Sequence, residues 1–235
     1  MNYFDMEIIR FINQFSQVSW IADVTTTFIS KNHLIKGGLL LAILWGGWFR
    51  ANKNQYLVRL HLISTLFACF IAMLIARVLA LLLPFRLRPM HEEGLSFTLP
   101  YGMEKLATAI EGWSSFPSDH AVLFYALSTG LFYISKKVGI LAFIYTTVFI
   151  SLPRVYLGLH YPTDIIVGAA IGIIIVLLCQ SDFVLDKLSN PILLFSNKYP
   201  QIFYPIMFIV TYQIADMFDN SRAFFSLLKE IVNSF

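Results

Sequence analysis

Two histidines, an aspartate and a few arginines have the types and spacing to do chemistry. Arg154 precedes His160 by six residues, and Asp164 follows it by four. Pro117-Ser118-Asp119-His120 forms a second cluster, and Pro84-Phe85-Arg86-Leu87-Arg88-Pro89 a third. Pro117-Ser118 and Pro162 each stand before a long apolar stretch, where such residues start helices. The first N–H groups of a helix have no intrahelical partner and favour an anion. Arginine adds a planar fork of donors that matches phosphate. Arg88 and Arg154 suit that role, and Arg86 is a further candidate. The pattern predicts a pocket for a phosphate-like oxyanion.

Hydrolysis of a phosphate ester without a metal needs a nucleophile and an acid for the leaving group. His160 can attack through one ring nitrogen if a carboxylate holds the other, and Asp164 is within sequence reach to do so. His120 is then the acid that protonates the departing oxygen. One imidazole must start neutral and the other charged, a division that neighbouring groups can impose.

These residues need elements to position them, and the composition says which. The chain has 235 residues, of which 57% are hydrophobic and 13% charged, against about 25% charged in ordinary soluble domains. Mean hydropathy is +0.69. So much apolar surface excludes an ordinary cytosolic enzyme and a disordered chain. A net charge of +3 without a Lys/Arg-rich run gives no sign of a nucleic-acid partner. Cys69 and Cys179 lie in apolar stretches without ligand spacing, so neither a disulfide framework nor a zinc site is expected.

The expected architecture is all-α, one membrane-embedded domain over residues 1–235 with a motif-bearing core at about 77–180. Apolar runs at 33–49, 57–83, 121–134, 138–152, 163–179 and 199–218 predict a bundle of six spans. Gly168 and Gly172 in the fifth have the spacing of a close helix contact. Asp5 and Glu7 argue against a signal peptide. Phe4, Ile8, Phe11, Ile12 and Phe15 recur at helical spacing and predict an amphipathic helix lying in the interface, and the tail from 220 to 235 reads similarly. All three polar clusters fall on one side of the membrane. With Arg86, Arg88 and Arg154 set aside as functional, the loop cations place that side outward.

Plainer roles suit other residues. His33, His61 and His91 read as packing or anchoring groups, Arg10, Arg50 and Arg59 as head-group anchors. Trp45, Trp48, Tyr101 and Trp113 read as an aromatic belt. Glu92, Glu93, Glu104 and Glu111 match no metal-ligand spacing and read as a solvated loop. Arg77 interrupts an apolar run and should face a cavity or a partner.

The ordered motifs resemble the type 2 phosphatidic acid phosphatase family, whose pattern is K-x6-R-P, then P-S-G-H, then S-R-x5-H-x3-D. Arg88-Pro89, Pro117-Ser118-Asp119-His120 and Arg154-x5-His160-x3-Asp164 match it. The resemblance implies a six-span membrane lipid phosphatase in which His160 forms a phosphohistidine, Asp164 orients it and His120 donates the proton. Arg88, Ser118 and Arg154 would hold the phosphate oxygens, helped by the backbone of Asp119 and His120. It implies no metal and no cofactor; the partners would be a phosphorylated lipid substrate and membrane lipids. Within the family the chain looks most like bacterial plasma-membrane enzymes acting on polyprenyl diphosphate such as undecaprenyl diphosphate. Phosphatidic acid and phosphatidylglycerol phosphate are close competitors. A phosphotransferase using the same phosphohistidine, and a non-catalytic membrane binding or transport protein, are the alternative readings.

Three positions depart from the pattern. Leu81 stands where the family has Lys, with Arg77 or Arg86 as candidate replacements. Asp119 replaces Gly and is expected to cap or pair away from phosphate. Pro153 replaces the Ser before Arg154.

Overall fold

Helices form throughout residues 2–220 and at Leu227, the part of the chain that this computed structural model describes, and no strand occurs there. Asn2 caps α1 (Tyr3–Asn13) by accepting the Asp5 N–H at 2.7 Å. Ser19 caps α2 (Trp20–Lys31). A π-helical turn, Leu34–Gly38, leads into α3 (Leu39–Phe49). α4 (Gln55–Leu82) has 28 residues, about 42 Å at 1.5 Å per residue. A polar connection containing α5 (Glu104–Ala109) then leads to α6 (Asp119–Leu131), capped by Ser118. α7 (Lys136–Tyr145) runs through a π-helical stretch, Thr146–Ser151, into α8 (Leu152–Tyr156). α9 (Pro162–Cys179) begins on a proline, which gives up only an N–H that would have no helical partner. α10 (Asp182–Val184), α11 (Asn190–Lys198) and α12 (Pro200–Ala215) complete the set.

Among the described residues, three helices are long and apolar enough to cross a membrane: Gln55–Leu82, the continuous Lys136–Tyr156 and Pro162–Cys179. The other three expected spans also fall on helices, but shorter ones. Leu34–Phe49 is apolar but short. α6 has 13 residues and reaches about 20 Å, against a hydrocarbon core of about 30 Å.

α6 is the axis of the fold. Every residue from Ala121 to Leu131 is buried, so it needs no polar face. α4 and α9 pack against it. Gly172 and Gly168 make the α9 contact possible: a Cβ at Gly172 would lie 2.2 Å from the Val122 carbonyl oxygen, and one at Gly168 2.8 Å from that of Ser118. This crossing brings the N-termini of α6 and α9 side by side, joined where the Ser118 N–H donates to the Asp164 carbonyl at 3.3 Å.

The N-terminal segment is helical, but its buried face differs from the apolar stripe read in the sequence. Phe4, Phe11 and Phe15 are exposed, Ile8 and Ile12 half-buried, and Asp5 and Ile9 buried. A carboxylate faces the protein because a guanidinium awaits it there. Apart from Asn220 and Leu227, the expected amphipathic tail lies outside the described residues.

Candidate active site

The loop between α8 and α9 sets His160. Gly158 turns the chain at φ +67°, and a Cβ there would meet Phe97 at 2.6 Å, so both conformation and space call for glycine. His160 is 5% exposed. Its Nδ1 lies 2.7 Å from the Ser115 carbonyl oxygen. A carbonyl only accepts, so Nδ1 carries the proton and the neutral ring presents its lone pair at Nε2. Burial lowers the His160 pKa, with the Asp164 carboxylate pulling the other way.

Asp164 sits at ion-pair distance from His160 and makes no hydrogen bond to it. Its Oδ2 lies 3.8 Å from His160 Nδ1, beyond hydrogen-bond range, and accepts instead from the Tyr161 N–H at 2.8 Å. Its Oδ1 accepts from Arg86 Nη1 at 2.5 Å. Four residues on a helix separate the two side chains by one turn, and the cap and the arginine claim the carboxylate first. The backbone oxygen of Ser115 does the orienting.

Arg86, a candidate phosphate ligand in the sequence, is likewise committed elsewhere. Besides Asp164 it donates Nη2 to Asp5 Oδ2 at 2.6 Å and Nη1 to Thr163 Oγ1 at 3.0 Å. It also stacks 4.1 Å over the Tyr161 ring. Asp5 and Asp164 are both fully buried, and a guanidinium shared between two such carboxylates is fixed by them. Asp5 also accepts from the Thr163 N–H at 2.9 Å and hydroxyl at 2.6 Å. It thus ties α1 to the first turn of α9. Asp5→Ala should remove about 3 kcal/mol, the low end for breaking a buried ion pair because Arg86 keeps Asp164. A melting temperature in detergent equal to wild type would show that this tie does not hold the site.

A cavity of about 430 Å³ opens where the motifs meet, many times the roughly 30 Å³ share of one water. His120, His160, Arg88, Arg154 and Lys36 line its polar side. Arg88 donates Nη1 to the Leu159 carbonyl at 2.7 Å. Burial pushes its pKa down to about 10, which leaves it charged at neutral pH. Arg154 donates Nη2 to the Ser30 carbonyl at 3.0 Å and also contacts His120 Nε2. The Nε atoms of both arginines are buried without a hydrogen-bond partner among the described residues. Buried donors of that kind are costly unless something fills them, and an oxyanion would.

Ser118 is fully buried as the α6 cap, its hydroxyl accepting from the Ala121 N–H at 3.5 Å, and it does not line the cavity. Asp119 does line it, with Oδ2 paired to Arg77 at 2.6 Å and Oδ1 buried without a hydrogen-bond partner among the described residues. Arg77 also lies 5.5 Å from the Trp113 ring. The charge inside the apolar run therefore faces a cavity and a partner at once.

A family model described as the PAP2 superfamily matches residues 61–185, more than half of the chain and the stretch that contains all three motifs. The chain belongs to the PAP2 superfamily. Bacitracin transport permease protein BcrC of Bacillus licheniformis is 27% identical over 175 residues, 72% of this chain and 76% of that protein. Undecaprenyl-diphosphatase BcrC of Bacillus subtilis (strain 168) is 26% identical over 175 residues, 74% of this chain and 80% of that one. The crystal structure of Aquifex aeolicus LpxE shares the fold with a TM-score of 0.51 at 22% identity, covering 74% of this chain and 92% of LpxE. A transmembrane PAP2-type phosphatidylglycerolphosphate phosphatase from Bacillus subtilis does so with a TM-score of 0.50, also at 22% identity, covering 75% and 82%. Kinship with PAP2 membrane phosphatases and the apolar helices make this an integral membrane protein.

Several residues in or beside the cavity were not read as site residues from the sequence. Lys36 and His33 line the cavity from the segment before α3; His33 had read as a packing or anchoring group. Trp113, read as part of an aromatic belt, lines it too. His33, Asp216 and Asp219 bring ligand-type atoms within 4.8 Å of one another, and the His33 Nδ1–Asp216 Oδ1 distance of 3.7 Å is that of an ion pair. Distance along the chain hid these neighbours; only the packing of α12 beside the Leu34–Gly38 turn reveals them.

Proposed function

We propose that this protein is a lipid phosphatase that works through a phosphohistidine on His160. The supporting observation is the cavity itself. It is lined by two histidines, by two arginines whose buried Nε atoms have no hydrogen-bond partner among the described residues, and by Ala80, Leu106, Ala109, Ile110 and Trp113. An amphiphile with a phosphate head group satisfies both surfaces.

His160 Nε2 attacks phosphorus while its Nδ1–H stays on the Ser115 carbonyl. The P–O bond to the leaving group breaks, and His120 protonates the departing oxygen. Arg88 and Arg154 neutralise the equatorial oxygens, with the Asp119 and His120 N–H groups at the start of α6. Water then attacks the phosphohistidine, His120 takes its proton, and inorganic phosphate leaves.

The substrate favoured is a polyprenyl diphosphate, on the similarity to the Bacillus subtilis undecaprenyl-diphosphatase. The active site would face outward from a bacterial plasma membrane. The test is phosphate release from polyprenyl mono- and diphosphate, phosphatidic acid and phosphatidylglycerol phosphate, in detergent with EDTA present. Diphosphate should be turned over fastest and EDTA should not inhibit. Loss of activity in EDTA that a divalent ion restores would overturn the metal-free mechanism. A transport role is the second reading, favoured by the permease name of the Bacillus licheniformis relative; absence of phosphate release from the whole panel would support it.

A further inference from the structure

Seven buried side-chain nitrogen or oxygen atoms have no hydrogen-bond partner among the described residues. Four of them belong to residues that line the cavity: Ser30 Oγ, Arg88 Nε, Arg154 Nε and Asp119 Oδ1. Such atoms are few in a folded protein, and each is costly. Their gathering in one place marks where a ligand completes the structure. The arginines and Asp119 belong to the sequence motifs. Ser30 does not, and it lies outside residues 61–185, the stretch that the family model matches.

The fold sets Ser30 against Arg154. α2 stops at Lys31, so the carbonyls of its last turn lack helical donors. The Ser30 carbonyl accepts from Arg154 Nη2 at 3.0 Å instead, and Arg154 in turn contacts His120. The connection before α5 pins this end of α2. Thr27 donates its hydroxyl to the Tyr101 carbonyl at 3.4 Å, and Lys31 its ammonium to that of Gly102 at 3.2 Å. Covalent geometry keeps a serine hydroxyl within about 5 Å of its own carbonyl oxygen. Ser30 Oγ therefore shares a corner of the cavity with the Arg154 guanidinium.

That hydroxyl is held off its own helix. Helical threonines in this protein return theirs to the carbonyl four residues back. Thr65 does so to His61 and Thr129 to Tyr125 at 2.7 Å, Thr147 to Phe143 and Thr211 to Met207 at 2.9 Å. Ser30 makes no such bond to Thr26, the local option for a helical hydroxyl. At 2% exposure, bulk water does not reach it either.

We propose that the Ser30 hydroxyl is a phosphate ligand, donating to an oxygen of the phosphoryl group that Arg154 also holds. For its substrate this rests on the phosphatase reading above. Arg88 and Arg154 bring the charge. The hydroxyl adds a neutral donor that rotates to an oxygen the arginines leave open. A hydrogen bond to an ionised oxygen is of the strong kind, so its loss registers in binding and turnover.

The test uses full-length protein in detergent, with orthovanadate as the anion probe, for wild type, Ser30→Ala and Ser189→Ala. Ser189 has a buried hydroxyl that is also unpartnered among the described residues but does not line the cavity. Ser30→Ala should lower kcat/KM for phosphate release from farnesyl diphosphate about 10- to 100-fold, the worth of one hydrogen bond to a charged group. The vanadate inhibition constant should rise by a similar factor. The melting temperature without vanadate should equal or exceed that of wild type, because the hydroxyl has no protein bond to lose. The rise that vanadate adds should shrink. Ser189→Ala should match wild type in activity. If Ser30→Ala does not fold, Ser30→Cys, close in size but a weak donor, should show losses of the same sign. Unchanged kcat/KM and vanadate inhibition in Ser30→Ala would overturn the assignment while leaving the phosphatase intact. So would a lost activity that comes with a fallen melting temperature and an undiminished vanadate effect, the mark of a structural hydroxyl. A wild type that releases no phosphate, yet is stabilised by vanadate less strongly in Ser30→Ala, would keep the assignment and bring down the phosphatase reading.

Discussion

His160→Ala should abolish turnover, by at least about 10⁴-fold in kcat, because the variant loses the atom that forms the bond to phosphorus. The geometry allows no understudy. Asp164 is spent on Arg86 and the α9 cap, and His120 Nε2 faces Arg154. Folding should survive, since the ring makes one hydrogen bond, to Ser115, worth about 1 kcal/mol. Steady-state phosphate release on monodisperse protein measures this, and activity within tenfold of wild type would remove His160 as nucleophile. The pH profile carries the same assignment. Attack requires the neutral ring, and burial lowers the His160 pKa, so the neutral form persists to lower pH than in a free histidine. Activity should therefore fall with acid only below about 6.5, the ordinary value. An acid limb placed above that value would belong to another group.

The parts of this site that local chemistry specifies could be read from the sequence. Pro117-Ser118 and Pro162 mark helix starts, and the glycine pair at 168 and 172 marks the crossing that brings those starts together. The histidines and arginines between them lie on the same cavity for that reason. What could not be read depends on contacts between distant segments. The Ser115 carbonyl is a backbone atom without a sequence signature, and it took the role that a nearby carboxylate seemed made for. Arg86 and Arg88 look equivalent two residues apart. Yet their guanidinium groups meet different partners, one held by Asp5 and Asp164, the other lining the cavity. Asp5 and Lys36 come from segments that share no motif with the core, so nothing in the sequence tied either to the site. The helix count shows the same limit. Hydropathy marks apolar runs, but α6 is buried by α4 and α9 along its whole length, so its apolar character reports protein contact as much as lipid.

Replacement of His120 should expose which bond is broken. A lipid alcohol is a poor leaving group unless protonated, so His120→Asn should cost about 10²- to 10⁴-fold on a monoester, the usual worth of general acid catalysis. A lipid monophosphate leaves far more easily, because its last ionisation lies near pH 6, and the loss on a diphosphate should stay near tenfold. The second half-reaction, water on the phosphohistidine, is common to both substrates and would blur this contrast in the steady state. The quantity to compare is the burst of released lipid product, which reports the first half alone. The resting contacts agree with a switch of this kind. A guanidinium only donates, so His120 Nε2 accepts from Arg154 and its ring is neutral in this arrangement. A phosphate entering between them would draw Arg154 to its oxygens and leave His120 beside a new anion, where the protonated ring is favoured. Equal burst losses on monoester and diphosphate would make His120 a phosphate ligand and deny it the acid's part.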